Sequence, residues 1–371
     1  MKKKIRLSCL LLLLAFTSCT FARIVKYGPS GTDDYKIFPS RKLTASATPF
    51  MFQEAPNDSR MPRKINFGKK KDVDLEEFLK SSNTLAFLVI KDDIIIYERY
   101  YNGHNEKAVS MSFSMAKSFL SILIGCAIED GYLKSVDQPI TDFVPELAKN
   151  GFDKVSIKHL LQMTSGMNYM ESDNPFGRHP RFYYTENLGE ELLKLKMKEK
   201  PGTHFKYKSG DNQLLGLVLA RALKPKTITQ YMQEKIWEPL GMESEGLYSL
   251  DREGGLEKTF CCISAIARDF AKFGRLYLNK GNWNGKQIVP ERWVDMSTEI
   301  DETQGSVWYY QYQWWIISKD KGDYMASGHL GQYLYVNPSQ KLIALRLGIN
   351  RGKTKPDQWK QLFAILADTI K

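Results

Sequence analysis

The chain has 371 residues, 43% of them apolar and 26% charged, with a formal charge of +11. That composition excludes a low-complexity or disordered chain, and the length allows a sizeable core without disulfide staples. Four cations (Lys2, Lys3, Lys4 and Arg6) crowd the N-terminus; without them 49 Lys and Arg face 42 Asp and Glu, a net +7. The remaining basic residues form no block interleaved with aromatics. The longest run, Lys69-Lys70-Lys71, reads as a solvated turn, so no nucleic-acid partner is expected.

Residues 1–22 read as an export signal. The basic start precedes an apolar run, Leu7 to Phe16, that is too short to cross a bilayer as a mature helix. The leader ends Phe16-Thr17-Ser18-Cys19, a lipoprotein-type box that makes Cys19 the lipidated residue, with Phe16 departing from the usual Leu or Val. Cleavage after Ala22, at Thr20-Phe21-Ala22, is the alternative. Either places the protein outside the cytoplasm, and the first adds a membrane contact through the lipid. Cys9 lies in the leader, and the other cysteines (Cys126, Cys261 and Cys262) suggest buried free thiols rather than a disulfide framework. With no C-x-x-C or H-E-x-x-H pattern, no zinc site is expected.

Residues 23–72 read as an extended arm packed on a main domain of residues 73–371. Asp74 to Ser81 is a short helix. Thr84 to Lys91 and Asp93 to Tyr101 are strand-like runs split by Asp92-Asp93, which predicts a hairpin. From Ser114 the apolar period becomes helical (Met115, Phe119, Ile122, Leu123, Cys126) until Gly131. Further helices are predicted over Val155 to Met163, Asn212 to Leu223, Ile228 to Glu238 and Ile263 to Asn279, the last with Arg268 and Asp269 on its polar face. Strand signals return at Tyr312 to Ile317, Gln332 to Asn337 and Leu342 to Ile349, and a helix from Gln358 to Ile370 closes the chain. Strands at both ends with helices between predict an α+β fold: one sheet from 84–101 and 312–349, and a helical insertion at about 138–255.

Three short motifs carry chemistry. Ser114-Met115-Ala116-Lys117 is an S-x-x-K, as is Ser318-Lys319-Asp320-Lys321. Ser318 sits in a polar turn, whereas Ser114 opens an apolar helix, where free amides and the dipole face an incoming anion. Residues i and i+3 share a helix face, so a desolvated Lys117 can serve Ser114 as a base. Tyr-x-Asn or Tyr-x-Ser occurs at Tyr100, Tyr207, Tyr277 and Tyr335. Tyr207-Lys208-Ser209 is preferred, because Pro201-Gly202 leads it into a helix mouth. Ser172-Asp173-Asn174 is a rival that reads as a turn. His329-Leu330-Gly331 is the one H-x-G in the chain, with Gly331 small enough for close backbone approach.

The order S-x-x-K, P-G-x-x-F-x-Y-x-S, G-H-x-G-Q resembles the serine β-lactamase/penicillin-binding protein superfamily, on its class C and esterase side. Supporting matches are Leu160-Leu161-Gln162-Met163-Thr164-Ser165-Gly166, Asp137-Gln138-Pro139, Val144-Pro145-Glu146, Leu214-Leu215-Gly216 and Ala267-Arg268-Asp269-Phe270-Ala271. The likeness runs from about Phe78 to the C-terminus, and Phe113 to Gly125 and Leu161 to Met167 look most like 6-aminohexanoate-dimer hydrolases. The resemblance implies a β-lactamase/transpeptidase-like antiparallel sheet flanked by helices. It implies an acyl-enzyme on Ser114, with Lys117 and Tyr207 sharing the proton work. It places the backbone amides of Ser114 and Gln332 in an oxyanion hole, and Ser209 and His329 along a pocket for a small-molecule or short peptide-like substrate. No metal or organic cofactor is required. His329 stands where the family's β-lactam processors carry Lys, and Ser209 where they favour Asn. Both point away from efficient β-lactam hydrolysis and towards an esterase or amidase, with a D-alanyl carboxypeptidase or β-lactamase acting on peptidoglycan-like or β-lactam substrates as the alternative. A non-catalytic penicillin-recognising protein is disfavoured by the retained Ser114, Lys117 and Tyr207.

Overall fold

The computed structural model describes residues 20–55, 58–68, 70–172 and 174–370. The leader with Cys19, Lys69 of the basic run and Asp173 of the Ser172-Asp173-Asn174 rival lie outside them.

Among the described residues the largest sheet has eight strands: Gln53–Glu54 (β1), Thr84–Lys91 (β2), Ile94–Tyr100 (β3), Tyr310–Gln311 (β4), Trp314–Ile316 (β5), Tyr324–Gly328 (β6), Gln332–Asn337 (β7) and Leu342–Gly348 (β8). Their spatial order is β4-β5-β6-β7-β8-β2-β3-β1, so the N- and C-terminal strands meet at the β8–β2 seam. Neighbours are antiparallel except β1 beside β3. Every residue of β2 and β8 is buried, because both faces of the sheet are covered. The period-two alternation of a strand sorts them into two cores. Leu88, Ile90, Leu345 and Leu347 join the large core, while Phe87, Val89 and Ala344 join the core with Trp359 and Phe363. Trp359 and Phe363 belong to the closing helix, seen at Pro356–Thr369.

Three other helices position the site: Met115–Glu129 (α1), Ser209–Ala222 (α2) and Ala267–Leu278 (α3). Helix α1 is apolar all round and buried from Met115 to Ala127, as a central helix must be. Phe119 stacks on Phe273 of α3, centroids 3.9 Å apart. A Cβ on Gly125 would fall 2.3 Å from Trp293, so glycine lets that ring lie against the helix.

The structure departs from the sequence reading in several places. The run from Ile263 to Asn279 is not one helix. Ile263–Ala265 is a strand paired with Ser110–Met111 and Gly246–Ser249, and the helix begins at Ala267. Tertiary pairing has captured a short apolar stretch that local periodicity alone reads as helix. Arg268 and Asp269 lie on a buried polar face rather than in solvent. Arg268 clamps Glu98 at 2.6 and 2.9 Å, and Asp269 accepts from the amides of Glu243 and Ser244. The arm is more ordered than an extended segment: Thr20–Tyr27 is a helix, Ser40–Leu43 pairs with Gly246–Ser249, and Lys64–Phe67 pairs with Lys70–Asp74. Cys261 and Cys262 are joined as a disulfide between neighbours, not two free thiols. Cys126 is free and buried, and burial pushes its thiol up to about 12.

Arg346 of β8 ties the sheet to the turn between β6 and β7. Fully buried, it donates to Thr84 Oγ1 and to the carbonyls of Ser82, Gly331 and Asn350 at 2.6–3.1 Å, and lies on Trp359. Arg346→Met would leave these acceptors unbonded. Urea unfolding should show stability lower by ~2–4 kcal/mol; an unchanged midpoint would mean that water replaces the guanidinium without cost.

Candidate active site

Ser114 is presented by a sharp turn. Phe113, just before it, has φ +46°, a conformation that a bulky residue holds only when its surroundings enforce it. They do so here. The amide of Ser112 donates to Ile263 O at 2.8 Å, and its hydroxyl to Cys261 O at 3.0 Å. On the other side a Cβ on Gly328 would fall 2.4 Å from Ser112 O, so the end of β6 presses on this turn and only glycine fits.

Lys117, one turn into α1, is 1% exposed, and its amine is enclosed by oxygens. Nζ lies 2.7 Å from Phe260 O, 2.8 Å from Ser114 Oγ and 3.1 Å from Ser209 Oγ. Burial favours the neutral amine and lowers its pKa to about 8, with Glu171 opposing the shift. Helix α2 holds two of these oxygens. It carries Ser209 at its first position. Gln213 and Asn212 fix the Phe260 loop, through Gln213 Nε2 to Glu257 O, Thr259 N to Gln213 Oε1 and Thr259 Oγ1 to Asn212 O. Gly216 allows that loop to press onto the helix, since a Cβ there would meet Thr259 Oγ1 at 2.3 Å.

Tyr207 precedes α2, and Ser114 beside its phenol works against the rise in the phenol's pKa that burial causes. The ring is wedged between Tyr310 and Trp315, with centroids 5.9 and 5.7 Å away. Its segment is tied to the preceding loop by Lys206 N to Met163 O and Lys208 N to Met163 Sδ. Burial raises the phenol well above its ordinary value, so Tyr207 holds its proton where Lys117 can release one.

These side chains line a cavity of about 880 Å³. Ser114, Tyr207, Gly328 and His329 all face it, and Lys117 and Ser209 lie behind Ser114. Gly331 and Gln332 are not brought to its wall. The β6–β7 connection is a tight turn, His329–Gly331, with Leu330 at φ +61°, and it folds back so that Gly331 packs on Arg346. Gln332 is fully buried, its amide group spanning His329 O and the backbone of Gly348. The stretch of this hairpin at the cavity is therefore Ser327–His329. Ser172 does stand at the cavity rim, with Oγ accepting from Asn174 N in a local turn. Ser318 lies instead between strands beside a separate, shallower depression.

Two contributors were missed by sequence reasoning. Glu171 accepts from both the hydroxyl and the amide of Ser209, at 2.6 and 2.8 Å. Its place shortly after the Thr164-Ser165-Gly166 helix end was the available signal. The N-terminal helix, with Ile24, and the Gly28-Pro29-Ser30 stretch after it line one side. Tyr184 OH bonds Gly28 O at 2.7 Å, Arg23 pairs with Glu186, and Phe21 stacks on Phe176. Nothing in this weakly periodic stretch announced contact with a site so far along the chain.

A 6-aminohexanoate-dimer hydrolase of Paenarthrobacter ureafaciens is 25% identical over 296 residues, covering 74% of each chain. A solved structure described as a putative 6-aminohexanoate-dimer hydrolase from Bacillus anthracis superposes with a TM-score of 0.81 over 92% of each chain, at 24% identity. A family VIII carboxylesterase shares the fold with a TM-score of 0.57, covering 77% of this chain and 91% of its own, at 15% identity. The sequence profile of the beta-lactamase family matches residues 75–358, from the start of the helix at Leu75 to the closing helix. The chain belongs to the beta-lactamase family and is a serine hydrolase of the β-lactamase/penicillin-binding protein superfamily.

Proposed function

We propose that the protein is an exported hydrolase of a linear ester or amide, working through an acyl-enzyme on Ser114. The observation that carries this reading is the buried Lys117 amine 2.8 Å from Ser114 Oγ. Neutral Lys117 takes the hydroxyl proton as Oγ bonds to the substrate carbonyl carbon. The phenol of Tyr207 gives its proton to the leaving group as the carbonyl–leaving-group bond breaks, and is reprotonated from Lys117. Water then attacks the acyl-enzyme by the reverse relay. The amide of Ser114, at the start of α1, and those of the Gly328–His329 strand end are the donors proposed for the oxyanion. This moves the second donor from Gln332 to the part of the hairpin that lines the cavity.

The lining supports the substrate class. Phe113, Tyr183, Phe260 and Trp315 give apolar walls, Glu171 stands on one side, and Arg351 and Lys360 also line the cavity. An apolar chain with polar ends fits these walls, and one relative is named for hydrolysing such a dimer. His329 in place of the β-lactam processors' Lys weighs against a β-lactamase, and Ser209 in place of Asn weighs the same way. Export by way of residues 1–22, with Cys19 as a lipid anchor facing the periplasm or cell exterior, completes the proposal. Its support is the ordered basic and apolar blocks of the leader.

Four outcomes are expected. A fluorophosphonate probe should label the protein and fail on Ser114→Ala. Turnover of short esters or linear amides should fall ~10²–10⁴-fold in Tyr207→Phe and little in Ser172→Ala; the opposite ranking would move the proton-handling role to the rim. Because Lys117 acts only after losing its proton, and its pKa is about 8, kcat/KM should rise with pH up to about 8 and then level. An acid limb well below this would identify a different base. Intact-mass analysis of the membrane fraction should find a mature chain beginning at lipidated Cys19, and Cys19→Ala should release it; an unmodified chain from Arg23 would refute the anchor.

A further inference from the structure

We propose that Glu171 is a positioning residue for acyl transfer: it fixes the direction of the Ser209 proton and thereby aims the lone pair of neutral Lys117 at Ser114. The inference rests on the reading of Ser114 and Lys117 given above and adds a residue that reading does not use.

A neutral lysine amine has two N–H bonds and one lone pair. Around Lys117 Nζ stand three oxygens, those of Phe260 O, Ser209 Oγ and Ser114 Oγ, at 2.7, 3.1 and 2.8 Å. Phe260 O is a carbonyl and only accepts, so it takes one N–H. Ser209 is a hydroxyl that could donate or accept. Its one proton is committed to Glu171 Oε1 at 2.6 Å, because an ionised carboxylate only accepts. The other carboxylate oxygen takes the Ser209 amide at 2.8 Å, so the group cannot turn away. It sits at the N-terminal end of α2, where the helix dipole favours an anion. Ser209 Oγ therefore shows Lys117 only lone pairs and takes the second N–H. One orbital remains on nitrogen, and the one oxygen left for it is the hydroxyl of Ser114.

During reaction the Ser114 proton moves to that lone pair as Oγ–C bond formation proceeds. The resulting ammonium has three N–H groups, of which the new one is passed to Tyr207. Were Ser209 free to reverse, its hydroxyl could donate to Lys117 and occupy the lone pair, leaving the base unavailable. Other groups face Glu171. His179 Nδ1 is 3.4 Å from Oε1 and bonds Tyr169 OH. The Lys208–Asp211 pair lies on α2, with Nζ and Oδ2 3.5 Å apart, and Asp211 and Tyr207 both sense the charge of Glu171. That charge also supports the protonated form of Lys117.

Glu171→Gln tests this, because an amide of the same shape can donate its NH₂ to Ser209 Oγ and reverse the proton. On an ester substrate that Ser114 cleaves, the alkaline plateau of kcat should fall ~10–100-fold with KM within ~3-fold. The acid limb should also move to lower pH, since Lys117 loses a neighbouring anion. In a Ser209→Ala background, where no hydroxyl remains to direct, Glu171→Gln should lower the plateau no further. Thermal midpoints of all variants report whether the fold is kept. A wild-type plateau in Glu171→Gln, an unmoved acid limb, or losses that multiply in the Ser209→Ala background would each overturn the inference. Lys117→Met separates the two levels. If it is inactive while Glu171→Gln is silent, only the role of Glu171 fails; if it is active, the assignment of the base fails first.

Discussion

A primary amine taken wholly out of water is the constraint around which the site is built. Moving Lys117 from its ordinary pKa to about 8 corresponds to roughly 3 kcal/mol of disfavoured charge. Three separate elements supply the oxygens that make its burial tolerable: the turn before α1, the first position of α2 and the loop at Phe260. None is adjacent in sequence, so the amine is satisfied only when all three are docked. The rest of the site follows from that docking. The small residues Gly216 and Gly328 permit the close approaches, and Phe113 carries the backbone strain that results.

The sheet serves this arrangement from behind. Its buried central strands join the two ends of the chain, so the end of β6 packs beside the start of α1 although nearly two hundred residues lie between the two elements. Arg346 then links three pieces of backbone near the end of β8, including the turn after β6. A cation with no carboxylate partner among the described residues suits this task, since its planar fork reaches several carbonyls at once.

Much of this was legible before any coordinates. The runs at Thr84 to Lys91, Gln332 to Asn337 and Leu342 to Ile349 are legible as strands because a strand buried on both faces is a short, nearly continuous apolar run. The helix after Ser114 was legible because it is long and its apolar period is unbroken. What stayed hidden depends on partners distant in sequence. Ile263–Ala265 is a strand only because Ser110–Met111 and Tyr248 lie beside it. Arg268 is buried only because Glu54 and Glu98 meet it there. Glu171 carries no motif of its own; its significance is the 2.6 Å bond to Ser209, which is a property of the fold. Motif order points to the Gln332 amide as an oxyanion donor, whereas the short hairpin turns this residue away from the cavity wall.

The N-terminal helix adds a consequence for how the molecule is handled and how it evolves. The leader cleavage proposed above would fall at Cys19 or after Ala22, close to Ile24, Gly28, Pro29 and Ser30, which line the cavity. The two proposed cleavage points differ by the residues Cys19 to Ala22, and so by whether Phe21 remains to stack on Phe176. A shift of the maturation point would reshape the entrance while leaving Ser114, Lys117 and Tyr207 untouched, and kinetic constants should be compared only between preparations that begin at the same residue.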